Sequence, residues 1–107
     1  MDRTEHKVVY FAEAFGQQIP FVLYPLDSDL PDTAGIYIYT HAECGDYTAL
    51  YIGQTENLQA RCCDKNIWRC VNIHNANAIC VHFENDATMR QRLLLDLIEK
   101  HKPVCHK

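Results

Sequence analysis

Two runs decide the fold: Gly35-Ile36-Tyr37-Ile38-Tyr39-Thr40 and Ala49-Leu50-Tyr51-Ile52-Gly53. Both are short and rich in β-branched and aromatic residues, which reads as strand. Between them His41 to Thr48 is a polar connection around Gly45-Asp46. Side chains alternate between faces along a strand, so Ile36 and Ile38 share one face while Gly35, Tyr37 and Tyr39 share the other. By the same alternation Leu50 and Ile52 go together, opposite Ala49, Tyr51 and Gly53. Turning the aliphatic faces towards one core places Tyr37 and Tyr51 together on the far side. Cross-strand packing is the ordinary use of such tyrosines.

Upstream, Lys7 to Phe15 reads as a strand, Gly16-Gln17-Gln18 as a turn and Ile19 to Leu26 as a second strand. Pro20 and Pro25 point to an edge position, because proline cannot donate to a ladder. Residues 1–33 thus form an N-terminal β-hairpin extension, with residues 27–33 as its closing loop, and residues 34–107 form the main domain.

Downstream, Thr55 can cap a helix that starts at Glu56 and runs to about Lys65. Leu58, Arg61, Cys62 and Lys65 would share a stripe of it. Two cations beside a leucine are either long side chains whose heads escape to solvent or groups held for a phosphate or carboxylate. Residues 66–77 are ambiguous, with a short helix around Ile67-Trp68-Arg69. Trp68 serves there as a core anchor or as a base-stacking group. Ala78 to Phe83 is a further strand, with Ile79, Val81 and Phe83 on one face and Cys80, His82 and Glu84 on the other. Asn85 or Asp86 caps a last helix from about Ala87 to His101, stopped by Pro103. Leu93, Leu94, Leu97 and Ile98 make its buried stripe.

With 107 residues, the chain has room for one domain and a thin core. No apolar run approaches bilayer length. A net charge of −4 disfavours a broad basic surface for DNA, though not a local basic site. No apolar signal core follows the N-terminus, so the expectation is a cytoplasmic protein with its six cysteines reduced. The tail from His101 to His106 contains possible zinc ligands, but not the paired spacing of a tetrahedral site.

The ordered set Gly35-Ile36-Tyr37, Tyr51-Ile52-Gly53, then Leu58 and Arg61, then Leu97-Ile98 and Pro103, resembles the GIY-YIG nuclease family. The similarity runs from about Ala34 to His106. It implies an α+β fold, a small three-stranded antiparallel sheet flanked by helices, here with the hairpin added in front. It also implies DNA phosphodiester hydrolysis. By position Tyr37, Tyr51 and Arg61 match the catalytic residues, and Gly53 and Arg61 match the substrate-binding ones. The family's metal, Mg2+ or Mn2+, would polarise the phosphoryl oxygen. Three positions depart from the pattern. Lys65 stands where histidine or tyrosine is usual, His106 where asparagine is frequent, and Leu94 where a glutamate binds the metal. A leucine cannot coordinate a cation, so His82 and Glu84 are the remaining candidates for a relocated metal site. The resemblance therefore leaves three readings: a metal-dependent endonuclease acting on DNA, a catalytically degenerate nucleic-acid-binding domain, or a protein-interaction domain that docks a partner or forms a homodimer through its hairpin.

Overall fold

The structure, a computed structural model, describes residues 7–61 and 64–106. Its elements in order are β1 (Lys7–Ala12), β2 (Gln18–Pro25), β3 (Gly35–Glu43), β4 (Asp46–Thr55), α1 (Lys65–Ile73), β5 (Ala78–Phe83) and α2 (Ala87–His101). The strands form one sheet of five in the order β1-β2-β5-β3-β4, and every neighbouring pair is antiparallel.

This corrects the expected three-stranded sheet. The hairpin is not an appendage, because Val22 to Pro25 of β2 pair with Val81 to Ala78 of β5. The two prolines do not force β2 to an edge. Pro20 lies outside the stretch paired with β5, and Pro25 is the last residue of the strand. At Pro20 the second partner is a ring rather than a strand: His82 Nδ1 lies 2.9 Å from the Pro20 carbonyl oxygen.

Each sheet face carries its own core. On one, Val9, Phe11, Ile19, Phe21, Ile36, Ile38, Ile52 and Cys80 meet Leu97 of α2, with Leu93, Leu94 and Ile98 packed alongside. On the other, Tyr24, Tyr37, Tyr39, Leu50, Ile79 and Val81 are covered by Leu30, Leu58 and Val71. A register shift between Tyr39 and Thr40 departs from simple alternation. It sends Leu50 to the tyrosine face and Ala49 to the α2 face, the reverse of the strict period-2 reading.

The expected helix over 56–65 is also corrected: residues 56–61 turn instead. Asn57 Oδ1 accepts from the backbone N–H of Gln59 at 3.0 Å and of Ala60 at 3.3 Å. The Leu58 N–H donates to the Thr33 carbonyl at 2.8 Å, and the Leu58 side chain is fully buried. Local side-chain bonds and one tertiary anchor therefore outcompete the helix. The helix begins later, at Lys65, with Asp64 as its cap accepting from the Asn66 N–H at 2.7 Å. α2 matches its expected bounds. Asp86 Oδ1 caps it through the N–H groups of Thr88 and Met89, and Lys102 ends it in the left-handed region.

Cys70 of α1 and Cys105 of the tail form a disulfide, their Cα atoms 5.8 Å apart, against the expectation of reduced thiols. Folding brings together two cysteines that are 35 residues apart, a pairing no local spacing announces. Cys44 and Cys80 are free, while Cys62 and Cys63 lie outside the described residues. Among the described residues no helix is long and apolar enough to cross a membrane.

Candidate functional site

The tyrosine face is assembled by register. Tyr37 lies opposite Gly53, and Tyr39 lies opposite Tyr51. The first pairing explains the glycine. A Cβ built on Gly53 would stand 2.6 Å from both Cζ and Oη of Tyr37, so the phenol occupies the space a side chain would need. Gly35 is tight for a different reason: a Cβ there would stand 2.5 Å from the His82 carbonyl oxygen of the neighbouring strand. Both glycines of the two tripeptides are thus required by close approach rather than by a turn.

Four rings follow one another across this face. Tyr37 and Tyr39 meet edge to face at 5.7 Å, and Tyr51 lies 6.3 Å from Tyr37 and 6.4 Å from Tyr39. Trp68 of α1 meets Tyr39 edge to face at 6.0 Å. At the near end Tyr24 is buried in the same cluster, and desolvation raises its phenol above the usual value.

Arg61 reaches this face from the turn after β4. Its guanidinium carbon lies 5.9 Å from the Tyr37 ring centroid, and Nη1 donates to the Leu58 carbonyl at 2.9 Å. Its Nε is buried and has no hydrogen-bond partner among the described residues. Among these residues no carboxylate lies within ion-pair distance of it either. A buried donor on a cation, left unmatched, is costly unless something outside the chain accepts from it.

His106 completes the cluster from the tail. Its imidazole stacks on Tyr51 at 4.5 Å with the planes 11° apart. Nε2 lies 2.7 Å from the Ile52 carbonyl oxygen and 3.2 Å from the Ile52 nitrogen, so its tautomer decides whether it donates or accepts. The Cys105 N–H donates to the Leu50 carbonyl at 2.9 Å. The tail therefore runs along the outer edge of β4, and the disulfide fastens it to α1.

Five of the residues singled out in the sequence thus gather on one face: Tyr37, Tyr51, Gly53, Arg61 and His106. Lys65 sits exposed at the first turn of α1. The metal candidates lie elsewhere. Leu94 packs into the α2 core, on the opposite side of the sheet from the tyrosines. His82 faces that same side, its ring 5.6 Å from Phe21. With Glu84 it lines a cavity of about 540 Å3 between the β1–β2 turn and α2. Among the described residues no three His, Cys, Asp or Glu side chains group closely enough to hold a metal ion. The tail offers no zinc set, because Cys105 is in the disulfide and His101 bonds the Ala12 carbonyl. The described residues do not fit the metal that the resemblance implies.

One buried cation carries no sequence signal. Arg90 of α2 donates through Nε to Gln54 Oε1 at 2.8 Å, and through Nη1 to the carbonyls of Glu84 and Asn85. It ties the start of α2 to β4 and to the end of β5. Its position inside the helix, two residues before Arg92, gives no local sign of burial.

Comparison with family models, curated proteins and solved structures found no match to this chain.

Proposed function

We propose that this chain binds the phosphodiester backbone of nucleic acid at the Tyr37–Tyr51–Arg61 face, in the manner of a GIY-YIG-type nuclease domain, and that binding rather than metal-dependent cleavage is its activity. One observation carries the reading: the Arg61 guanidinium is partly buried against Tyr37, and its Nε has no hydrogen-bond partner among the described residues. An arginine held in that way suits a phosphate oxygen, which accepts charge-assisted bonds from it. The tyrosine cluster and His106 fix the walls around it. Among the described residues no metal-binding set of carboxylates stands with the tyrosines, which supports the choice of binding over metal-assisted hydrolysis.

Hydrolysis is the second reading, favoured by two tyrosines and an imidazole on the same face as the arginine, groups that can position and move a proton. One experiment separates the two. Anisotropy of labelled DNA at low salt should show binding by the parent protein. Arg61→Ala should weaken it about 10- to 100-fold, the worth of a hydrogen bond to a charged partner. The salt slope should also fall by about 0.7 to 0.9 for one lost phosphate contact. Binding unchanged by Arg61→Ala, or no binding by the parent, overturns the proposal. Cutting of the same DNA with Mg2+ or Mn2+, abolished by Tyr51→Phe and Arg61→Ala, would put hydrolysis in its place.

A further inference from the structure

Trp68 is the one tryptophan of the chain, and it is 42% exposed although it touches the tyrosine cluster. A large aromatic ring left half in solvent at the rim of a site offers a flat apolar surface. Its surroundings are basic. Lys65, three residues earlier on α1, is its neighbour on the helix surface, Arg69 follows Lys65 by four, and both cations are exposed. From Asn57 to Phe83 the only acid is Asp64, against Arg61, Lys65 and Arg69. That segment carries +2, so the rest of a chain of net −4 carries −6. The exposed indole thus stands on a locally basic stretch of an acidic protein. The rings run from Trp68 through Tyr39 and Tyr37 to Arg61, at 6.0, 5.7 and 5.9 Å in turn.

We infer that Trp68 is a stacking platform for an unpaired nucleobase on the strand whose phosphate Arg61 holds. This rests on the phosphate-binding reading above and narrows it to single-stranded or locally opened nucleic acid. A base inside a duplex has both faces covered by its neighbours, so only an unpaired base can lie on the indole. Lys65 and Arg69 stand where the flanking phosphates would pass, which matches the combination of an aromatic platform and a basic track used for single strands.

The test uses the intact chain, since its single tryptophan reports on itself. The probes are a single-stranded oligothymidylate, the same backbone with abasic sites, and a blunt duplex. Binding is read by anisotropy and stacking by indole emission. Oligothymidylate should quench the emission as it binds. The abasic strand should bind more weakly and leave the emission unchanged, and the duplex should bind with little quenching. Trp68→Ala should weaken oligothymidylate binding about 5- to 100-fold, the worth of one stacked base. The abasic strand should be unaffected by that change. Trp68→Phe, which keeps a ring against Tyr39, should recover part of the loss and guards against a folding defect in the alanine variant. Binding with no quenching, or equal binding by Trp68→Ala, overturns the stacking role and leaves the phosphate site standing if Arg61→Ala still weakens binding. Equal quenching by the duplex overturns the requirement for an unpaired base. Absence of binding by all three probes overturns both proposals.

Discussion

The imidazole of His106 lies flat on the ring of Tyr51, 4.5 Å away, while its Nε2 meets the backbone of Ile52 next in line. A residue from the tail thus holds the edge strand β4 by stacking on Tyr51 and by a hydrogen bond to Ile52 together. His106→Ala removes both contacts. An aromatic pair contributes about 0.5–1.5 kcal/mol and a hydrogen bond about as much, so the variant should lose about 1–3 kcal/mol. Urea unfolding checks this, and His106→Phe should recover the stacking share alone.

Gly53→Ala should fail through Tyr37. The new methyl would overlap the phenol at 2.6 Å, so the ring must leave its place beside Arg61. Overpacking of this kind costs about 1–3 kcal/mol. Nucleic-acid binding should fall more than thermal stability does, because the displaced ring forms the wall of the site. The pair Gly53→Ala with Tyr37→Ala should regain stability over Gly53→Ala alone. If the double variant is no more stable than the single one, the clash is not the cause.

Much of this arrangement was legible in the sequence, and the reasons for success and failure are physical. β5 and α2 were readable to the residue because alternation, an aspartate cap and a proline stop agree with one another. Tyr37 and Tyr51 share a face as alternation requires. Leu50 does not follow, because the bulge at Tyr39/Thr40 depends on the pairing of two strands and leaves no mark in either alone. The turn at 56–61 reads as helix from the sequence because its decisive bond runs from Leu58 to Thr33, outside any local window. Arg61 nevertheless reached the tyrosines, carried by the turn rather than by a helical stripe. The five-stranded sheet was hidden for a similar reason: nothing in β2 announces that its partner is β5.

The disulfide should be a large share of the stability. Closing a loop across a separation of 35 residues is worth about 3–4 kcal/mol in the chain-entropy account. Reduction, or Cys70→Ser with Cys105→Ser, should lower the melting temperature accordingly. It should also free the tail from α1, so amide exchange at position 105, whose N–H donates to the Leu50 carbonyl, and at Ile52 should speed up. Unchanged exchange there would mean that the tail holds its place without the covalent tie.

Cys80 gives a pH dependence of defined sign. It is fully buried, and desolvation pushes its thiol up to about 11 despite the hydrogen bond from Thr40 at 3.6 Å. Below the ordinary thiol range the folded and unfolded chains hold the same proton and the group is neutral for stability. Above pH 9 the unfolded thiol ionises while the folded one does not. Unfolding is then favoured progressively up to about pH 11, by at most about 2–3 kcal/mol at 1.36 kcal/mol per unit. Cys80→Ala should flatten the fall in stability between pH 9 and 11. In the native protein iodoacetamide at pH 8 should label the exposed Cys44 and spare Cys80.

The two margins of the sheet are unlike. At β4 the backbone of Leu50 and Ile52 is taken up by Cys105 and His106. At β1 no strand among the described residues pairs with the outer side, and Val8 and Tyr10 stand 48% and 61% exposed beside it. A sheet with one receptive margin can join a second copy about a twofold axis, β1 against β1, and is then complete. Head-to-tail extension would need a second receptive margin, and the tail occupies that of β4 at Leu50 and Ile52. Assembly through strands would stop at two chains, and the clasp at β4 is what sets that limit.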